Sequence, residues 1–155
     1  MNQPTLADAI ALARRAHEGQ CDKSGAAYFG HVERVMHGVE GEELKIIAIL
    51  HDTIEDTDDT TPVNVTVESL LAAGYPPHIV EAIDSLTKRP DEQGSDEGYM
   101  RFVERASQNP LAREVKKSDL RDNMDLNRIP GATEEDFRRL KRYQRALDFL
   151  ESLVE

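Results

Sequence analysis

The chain has 155 residues, of which 39% are hydrophobic and 32% are charged, and its formal net charge is -11. This length is typical of one domain, and we predict a single domain over residues 1–155. The composition excludes a disordered chain, and the excess of negative charge excludes broad nucleic-acid binding because the phosphate backbone is also negative. A small anionic substrate stays compatible with this charge, since a metal ion and a few local basic residues can dominate one cleft.

The predicted elements are all helices. Trp is absent and Tyr and Phe number four each, so the core must be mostly aliphatic, which favours helices over a sandwich or barrel. Apolar residues at helical spacing predict eight helices, beginning in chain order at Leu6 behind a Thr5 cap, then Tyr28–His37, Glu42–Asp56, Val67–Ala73, Pro77–Leu86, Tyr99–Gln108, Leu111–Leu126 and finally a helix behind a Thr133 cap.

Two helices have informative apolar patterns. The run over residues 46–50 is apolar almost all round, which predicts burial on most sides. The same run could be a buried strand, but the acidic start at Glu42 and Glu43, the polar residues that follow and the lack of a hairpin partner favour a helix. The final helix is predicted to bury one stripe, formed by Phe137, Leu140, Tyr143, Leu147, Leu150 and Val154.

The single cysteine and the amino-terminal segment bear on location. Cys21 has no intramolecular disulfide partner, which is natural in a reducing cytoplasm. The first apolar positions are periodic and include Asp8, so they predict neither a signal peptide nor a membrane span. We therefore expect a cytoplasmic protein with no membrane attachment, and the sequence is compatible with a homodimer.

The segment with the clearest chemistry is residues 50–57, which places one imidazole and three carboxylates at the end of a buried run. Such groups are costly to bury unless they are paired or bind a metal. Neighbouring residues on a helix point about 100° apart, so His51 and Asp52 can both reach one ion. Glu55 and Asp56 follow within one turn, which makes them candidates for acid/base work.

A metal site needs more than two ligands, and the residues alone leave the third open among His31, Asp119 and Asp122. Mixed imidazole and carboxylate ligands suit Mn²⁺, Fe²⁺ or Zn²⁺ better than Ca²⁺ or Mg²⁺. An isolated His-Asp pair is usually incidental, and on the pattern alone Glu55 and Asp56 are more typical of a solvated helix end than of an acid/base pair.

Several motifs in order resemble the hydrolase domain of RelA/SpoT-type alarmone enzymes, which have the HD-type helical fold. The similarity spans about residues 7 to 125 and lies in five segments, namely residues 16–20, residues 22–31, Ala48–Thr57, Leu86–Lys88 and Val115–Met124. The resemblance implies an all-α HD-domain bundle of about seven to eight helices.

The resemblance also implies residue roles. The positions that match the four ligands of one divalent metal are His31, His51, Asp52 and Asp119. In that family the metal is typically Mn²⁺, and Fe²⁺, Zn²⁺, Co²⁺ and Ni²⁺ are alternatives here. Glu55 and Asp56 match the acidic pair that orients or activates the attacking water. Asn123 matches a substrate contact, and Lys23 matches a basic residue near the nucleotide. Apart from the resemblance, the candidates to offset phosphate charge are Lys23, Lys116, Arg121 and Arg128, although a single basic residue is more often a solvated surface charge.

The family removes pyrophosphate from the 3' position of (p)ppGpp, and its stand-alone metazoan members also accept NADPH. This chain departs from the family pattern at Val32, at Lys117 and Ser118, at residues 120–122 and at Asp22. The ligand positions are retained, but the changed positions lie near the expected nucleotide. We therefore predict a metal-dependent (p)ppGpp 3'-pyrophosphohydrolase, with two alternatives: a phosphatase of NADPH or nucleoside monophosphates, and a non-catalytic nucleotide or metal sensor.

Overall fold

The computed structural model describes residues 3–129 and 131–153, and their regular structure is helical, as predicted. The α-helices are α1 (Leu6–Ala16), α2 (Phe29–His37), α3 (Glu42–Leu50), α4 (Thr53–Asp56), α5 (Val67–Ala72), α6 (Pro77–Ser85), α7 (Asp96–Ala106), α8 (Pro110–Asn123) and α9 (Glu134–Ser152). Short 3₁₀ turns lie at Pro90–Glu92 and Leu126–Arg128. The only extended pairing in the described part of the chain is an isolated bridge between Cys21 and Ala27.

Two of the predicted helix starts, behind Thr5 and Thr133, are confirmed by side-chain caps, whereas α7 begins behind a Ser95 cap, three residues before the predicted Tyr99. Thr5 and Thr133 each accept a hydrogen bond from the backbone amide three residues on, and the carboxylates of Asp8 and Asp136 accept one from the backbone amide of the cap residue. These reciprocal bonds satisfy amides that have no partner inside the helix. Gly74, with φ of 102°, follows α5 in a conformation that favours glycine.

The helix predicted over Glu42–Asp56 is interrupted at His51 and Asp52, so α3 and α4 are separate. His51 Nδ1 lies 2.6 Å from the Ala48 carbonyl oxygen, and the Thr53 hydroxyl donates to the Leu50 carbonyl at 2.7 Å. Side chains that bond backbone carbonyls in this way compete with the helical ladder. The break places His51 and Asp52 at the carboxyl end of the most buried helix.

Helix α3 lies at the centre of the larger aliphatic cluster, where α1, α2, α6 and α8 pack against it. Ile47, Ile49 and Leu50 are fully buried, as the all-round apolar pattern predicted. A second cluster joins α7, α8 and α9 through residues that include Phe102, Leu120, Leu147 and Leu150. Helix α8 contributes to both clusters, and this position carries its polar residues to the junction between them.

The stripe predicted on the last helix is confirmed only in its second half. Leu147 and Leu150 are buried, but Phe137 is 48% exposed, because the start of α9 extends past the second cluster. Val154 lies outside the described residues. None of the helices in the described part of the chain combines the length and hydrophobicity that a membrane span requires.

Candidate metal centre

Three parts of the fold bring together the four residues predicted as metal ligands. His31 comes from the first turns of α2, His51 and Asp52 from the break after α3, and Asp119 from α8. Each residue offers one ligand atom, and these atoms all lie within 4.8 Å of one another. Asp119 Oδ1 is 2.9 Å from His31 Nε2 and 3.3 Å from His51 Nε2.

The far side of each imidazole is held so that Nε2 faces the cluster. His51 Nδ1 lies against the Ala48 carbonyl, and His31 Nδ1 lies 2.7 Å from Asp122 Oδ2. Metal-binding histidines are held in the same way, with one nitrogen on a carbonyl or carboxylate and the other free for the ion. Two imidazoles and two carboxylates with this geometry fit a divalent transition metal. The cluster is therefore able to hold such an ion, and Asp122 lies behind His31 rather than in the ligand set.

The imidazoles and carboxylates of the cluster shift one another's pKa values toward their charged forms. Burial alone would lower the pKa of His31, but hydrogen bonds with Asp119 and Asp122 outweigh it and raise that pKa to about 9. The pKa of His51 is also raised despite burial, chiefly by the charge of Asp52. The pKa values of Asp52 and Asp119 are lowered despite burial, by His51 and by the Lys116 ammonium respectively. The site thus stabilises ionised carboxylates, which are the form that binds metal, and protonated imidazoles, which release a proton when they bind it.

Lys116, predicted as a substrate contact, pairs instead with Asp119, one of the four residues predicted as metal ligands. Its side chain is buried, and Nζ lies 2.8 Å from Asp119 Oδ2. The ammonium also lies over the rings of Tyr99 and Phe102, at 5.1 and 4.8 Å from their centroids. Lys116 therefore neutralises and fixes Asp119, although it also forms part of a cavity wall.

Tyr28 has a role that the sequence reasoning did not assign. Its hydroxyl donates a 2.6 Å hydrogen bond to Asp52 Oδ2, and burial with the nearby Asp52 charge raises its pKa. Tyr28 lies three residues before His31 at the start of α2, so the two side chains share one face of the helix. The three-residue spacing between Tyr28 and His31 is the sequence feature that could have predicted a place for Tyr28 in this site.

The acidic pair Glu55 and Asp56 lies on α4, directly beside the cluster. Glu55 is exposed, and its Oε1 accepts a 2.9 Å hydrogen bond from the Lys88 amide. Asp56 is half-buried, and burial together with the negative charges of Asp52 and Glu55 raises its pKa to about 7. The pair thus combines an accessible carboxylate with one that takes up a proton near neutral pH.

Two adjoining cavities open at the cluster. The smaller one, of about 130 Å³, contains His51, Asp52, Asp119 and Glu55 in its wall. The larger one, of about 350 Å³, is lined by Cys21, Asp22, Lys23, Ser24, Tyr28, His31, Asn123, Leu126, Arg128, Ile129, Asp136, Arg139 and Tyr143. Tyr28, Asn123 and Tyr143 line both. The larger volume is within the range of small-ligand sites in proteins.

The predicted substrate contacts are only partly brought together. Lys23 and Arg128 line the larger cavity, and Asn123 lies at the junction, where its amide donates to Asp119 Oδ1 at 3.3 Å. Arg121 lies elsewhere, in correction of the prediction: it is exposed, donates to Glu151 at 3.1 Å and lines neither cavity. It follows Asp119 by two residues, which places the two side chains on opposite faces of α8.

The long last helix supplies two cavity residues that were not among the predicted substrate contacts. Arg139 lines the larger cavity, and so does Tyr143, which was predicted as part of the core stripe. They are four residues apart and so share one face of α9. Arg139 also pairs with Asp136 at 2.7 Å. This face meets the cluster because α9 packs against α8, and the residue spacing within α9 does not predict that packing.

Comparison with known proteins supports the fold. No family model matches the sequence, and no curated protein sequence matches it either. One solved structure with a similar fold is described as a metazoan ortholog of SpoT that hydrolyzes ppGpp and plays a role in starvation responses. The two chains are 20% identical, the match covers 98% of this chain and 88% of the other, and the TM-score is 0.76. The chain therefore has the all-α HD-type fold that its motifs predicted.

Proposed function

We propose that the protein is a metal-dependent phosphohydrolase that acts on the 3'-diphosphate of (p)ppGpp. The observation that carries this proposal is the cluster of His31, His51, Asp52 and Asp119, flanked by an acidic pair and open to a cavity of about 350 Å³. The four clustered residues would hold one divalent ion, for which Mn²⁺ is favoured and Fe²⁺, Zn²⁺, Co²⁺ and Ni²⁺ are alternatives.

The substrate class is supported by the charge of the larger cavity. Lys23, Arg128 and Arg139 supply three cationic side chains to its wall, against the carboxylates of Asp22 and Asp136. This balance is positive although the whole chain carries a net charge of -11. The similar solved structure is described as hydrolyzing ppGpp, which is consistent with a phosphorylated nucleoside in this cavity.

In the proposed reaction, water adds across the bond between the 3' oxygen and the pyrophosphate group. Pyrophosphate leaves, and the nucleoside keeps its 5' phosphates. A bound divalent cation supplies Lewis acidity at a phosphoryl group and lowers the pKa of water. Glu55 orients the attacking water and takes its proton, which the half-buried Asp56 beside it shares. The proton then passes to the 3' oxygen as the bond between that oxygen and phosphorus breaks. Asn123, at the junction of the two cavities, orients the substrate between them.

A second candidate is a phosphatase of NADPH or of nucleoside monophosphates. Asp22 favours it, because this carboxylate lies in the cavity wall and is fixed there by bonds from the Ser24 amide and hydroxyl and the Ala26 amide. A fixed negative charge at this position lowers the attraction for a substrate with two diphosphate groups.

The test is a release assay with metal-stripped protein, Mn²⁺ and a panel of ppGpp, GTP, NADPH and nucleoside monophosphates. The proposal expects pyrophosphate from ppGpp and no turnover of GTP, and loss of this activity in Asp52→Asn. Orthophosphate from NADPH or a monophosphate would favour the second candidate. Nucleotide binding without turnover in excess Mn²⁺ would contradict both and indicate a sensor.

A further inference from the structure

Asp122 lies directly behind His31, on the side away from the metal cluster. Its Oδ2 is 2.7 Å from His31 Nδ1, whereas His31 Nε2 faces Asp119 Oδ1 at 2.9 Å. The two carboxylates therefore hold opposite nitrogens of one imidazole. An imidazole in this position has little freedom to rotate or to exchange its two nitrogens.

Asp122 is itself held by two arginines. Arg34 Nε donates to Asp122 Oδ1 at 2.7 Å, and Arg128 Nη2 donates to Oδ2 at 3.2 Å and to the Asp122 backbone carbonyl at 2.6 Å. The side chain of Asp122 is only 10% exposed. Charge-assisted bonds in such a poorly hydrated position are short and directional, so the carboxylate has one defined orientation.

The consequence for His31 follows from hydrogen-bond chemistry. An ionised carboxylate can only accept, so His31 Nδ1 must carry a hydrogen and donate it to Asp122. In the neutral imidazole, Nε2 is then the nitrogen with a free lone pair, and Nε2 faces the cluster. Without Asp122 both tautomers and both ring orientations become accessible, and only part of the population presents Nε2 to a metal.

We propose that Asp122 is a positioning residue, which fixes the orientation and tautomer of His31 for metal binding and is itself fixed by Arg34 and Arg128. This inference rests on the metal centre of the proposed function. It does not require the substrate to be identified, because the contacts that carry it join residues of the protein, although Arg128 also lines the larger cavity.

The experiment measures Mn²⁺ affinity by calorimetry on the stripped full-length chain, without nucleotide. The variants are Asp122→Asn and Asp122→Ala, with Asp148→Asn as the matched control because it removes one carboxylate charge from an exposed position. Loss of a residue that hydrogen-bonds a metal-binding side chain typically weakens metal binding by about 10- to 100-fold, and we expect a loss of about that size for Asp122→Ala. Asp122→Asn keeps an accepting oxygen and loses less, and the control changes less than about twofold.

A second readout separates positioning from a purely structural role. The absorption spectrum of bound Co²⁺ depends on its ligands, so it should change in Asp122→Ala at saturating Co²⁺ and not in the control. A lower melting temperature with unchanged Mn²⁺ affinity and an unchanged Co²⁺ spectrum would overturn the proposal. If Asp122→Ala does not fold, Asp122→Asn decides on the same measures. A wild-type chain that binds neither ion would overturn the metal centre and this inference together, whereas bound metal without turnover would contradict only the proposed function.

Discussion

Lys116 Nζ lies 2.8 Å from Asp119 Oδ2, while the other carboxylate oxygen of Asp119 faces His31 and His51. The two oxygens of one buried carboxylate thus have separate partners, an internal cation on one side and the metal cluster on the other. The pairing leaves Asp119 one oxygen for an ion. It also keeps the carboxylate charged where burial alone would favour its neutral form.

Replacing Lys116 with methionine should therefore destabilise the protein most when metal is absent. Breaking a buried ion pair costs about 3–5 kcal/mol, and because His31 and His51 still face Asp119 we expect about 3 kcal/mol. Urea denaturation of Lys116→Met with and without Mn²⁺ measures this, and added Mn²⁺ should restore part of the loss. Lys117→Met is the control, since Lys117 pairs with the half-exposed Glu114 and should change stability by less than about 1 kcal/mol. Equal losses in both variants would contradict the role given to Lys116.

Metal binding should appear as added stability that depends on Asp52. At a Mn²⁺ concentration 100-fold above its Kd, the wild-type chain should gain about 2.7 kcal/mol in its free energy of unfolding. Asp52→Asn removes a ligand charge and should show no gain at that concentration. Thermal melts with Mn²⁺ and with a chelator measure the gain in the wild-type chain and in Asp52→Asn. Asp59→Asn, on an exposed loop, should keep the full gain, and a full gain in Asp52→Asn would exclude Asp52 from the ligand set.

Glu55→Gln should separate catalysis from metal binding. Glu55 is exposed beside the cluster and is not among the four clustered ligands, so its loss should leave Mn²⁺ affinity unchanged. Removal of a general base costs about 10²–10⁴-fold, and we expect kcat for ppGpp to fall in that range. Glu43→Gln, an exposed change near the start of α3, should leave kcat unchanged. Unchanged kcat in Glu55→Gln would remove Glu55 from the mechanism.

Arg139 and Arg138 are neighbours with different surroundings, which gives a matched pair for substrate binding. Arg139 lines the larger cavity, while Arg138 is 65% exposed and does not line it. A hydrogen bond to a charged group contributes about 1.5–3 kcal/mol, so Arg139→Gln should raise KM by about 10- to 100-fold with little change in kcat. Steady-state kinetics on both variants provide the measurement. Similar KM values for Arg138→Gln and Arg139→Gln would contradict a nucleotide in this cavity.

The pair Glu92 and Arg105 should make stability fall in acid. Arg105 donates from Nε and Nη2 to the two carboxylate oxygens of Glu92, each at 2.8 Å, and these bonds lower the pKa of Glu92. A lowered folded-state pKa gives stability that is present above the unfolded value of about 4.3 and lost as pH falls through the folded pKa. Glu92→Gln should cost about 1.5–3 kcal/mol at pH 7, and this difference should shrink below pH 4.

The control for the acid effect is Glu151→Gln, because Glu151 pairs with Arg121 at the exposed surface. Its effect should stay within about 1 kcal/mol at every pH. Denaturant titrations at pH 7 and pH 3 compare the variants. If the loss of unfolding free energy in Glu92→Gln does not vary with pH, packing rather than the ion pair stabilises this contact.

Most of the helices and the chemistry of the central segment follow from the amino-acid sequence alone. Both depend on short-range patterns: apolar residues at helical spacing, caps such as Thr5 and Thr133, and His51 beside Asp52 after a buried run. Such signals act within one or two turns, so they are visible in the chain before it folds. The break between α3 and α4 was missed because it depends on side chains that bond the last helical carbonyls.

The contacts between residues that are distant in the chain depend on how the helices pack, which the residue pattern alone does not predict. The residues alone left His31, Asp119 and Asp122 open as further ligands, and His31 lies 88 positions from Asp119 and 91 from Asp122 in the chain. The packing of α8 against α2 and α3 turns Asp119 into the cluster and Asp122 behind His31. The packing of α9 on α8 likewise brings Arg139 to the cavity, while Arg121 points away. The physical reason is that helix spacing fixes which residues share a face, but burial of apolar surface between helices fixes what that face meets.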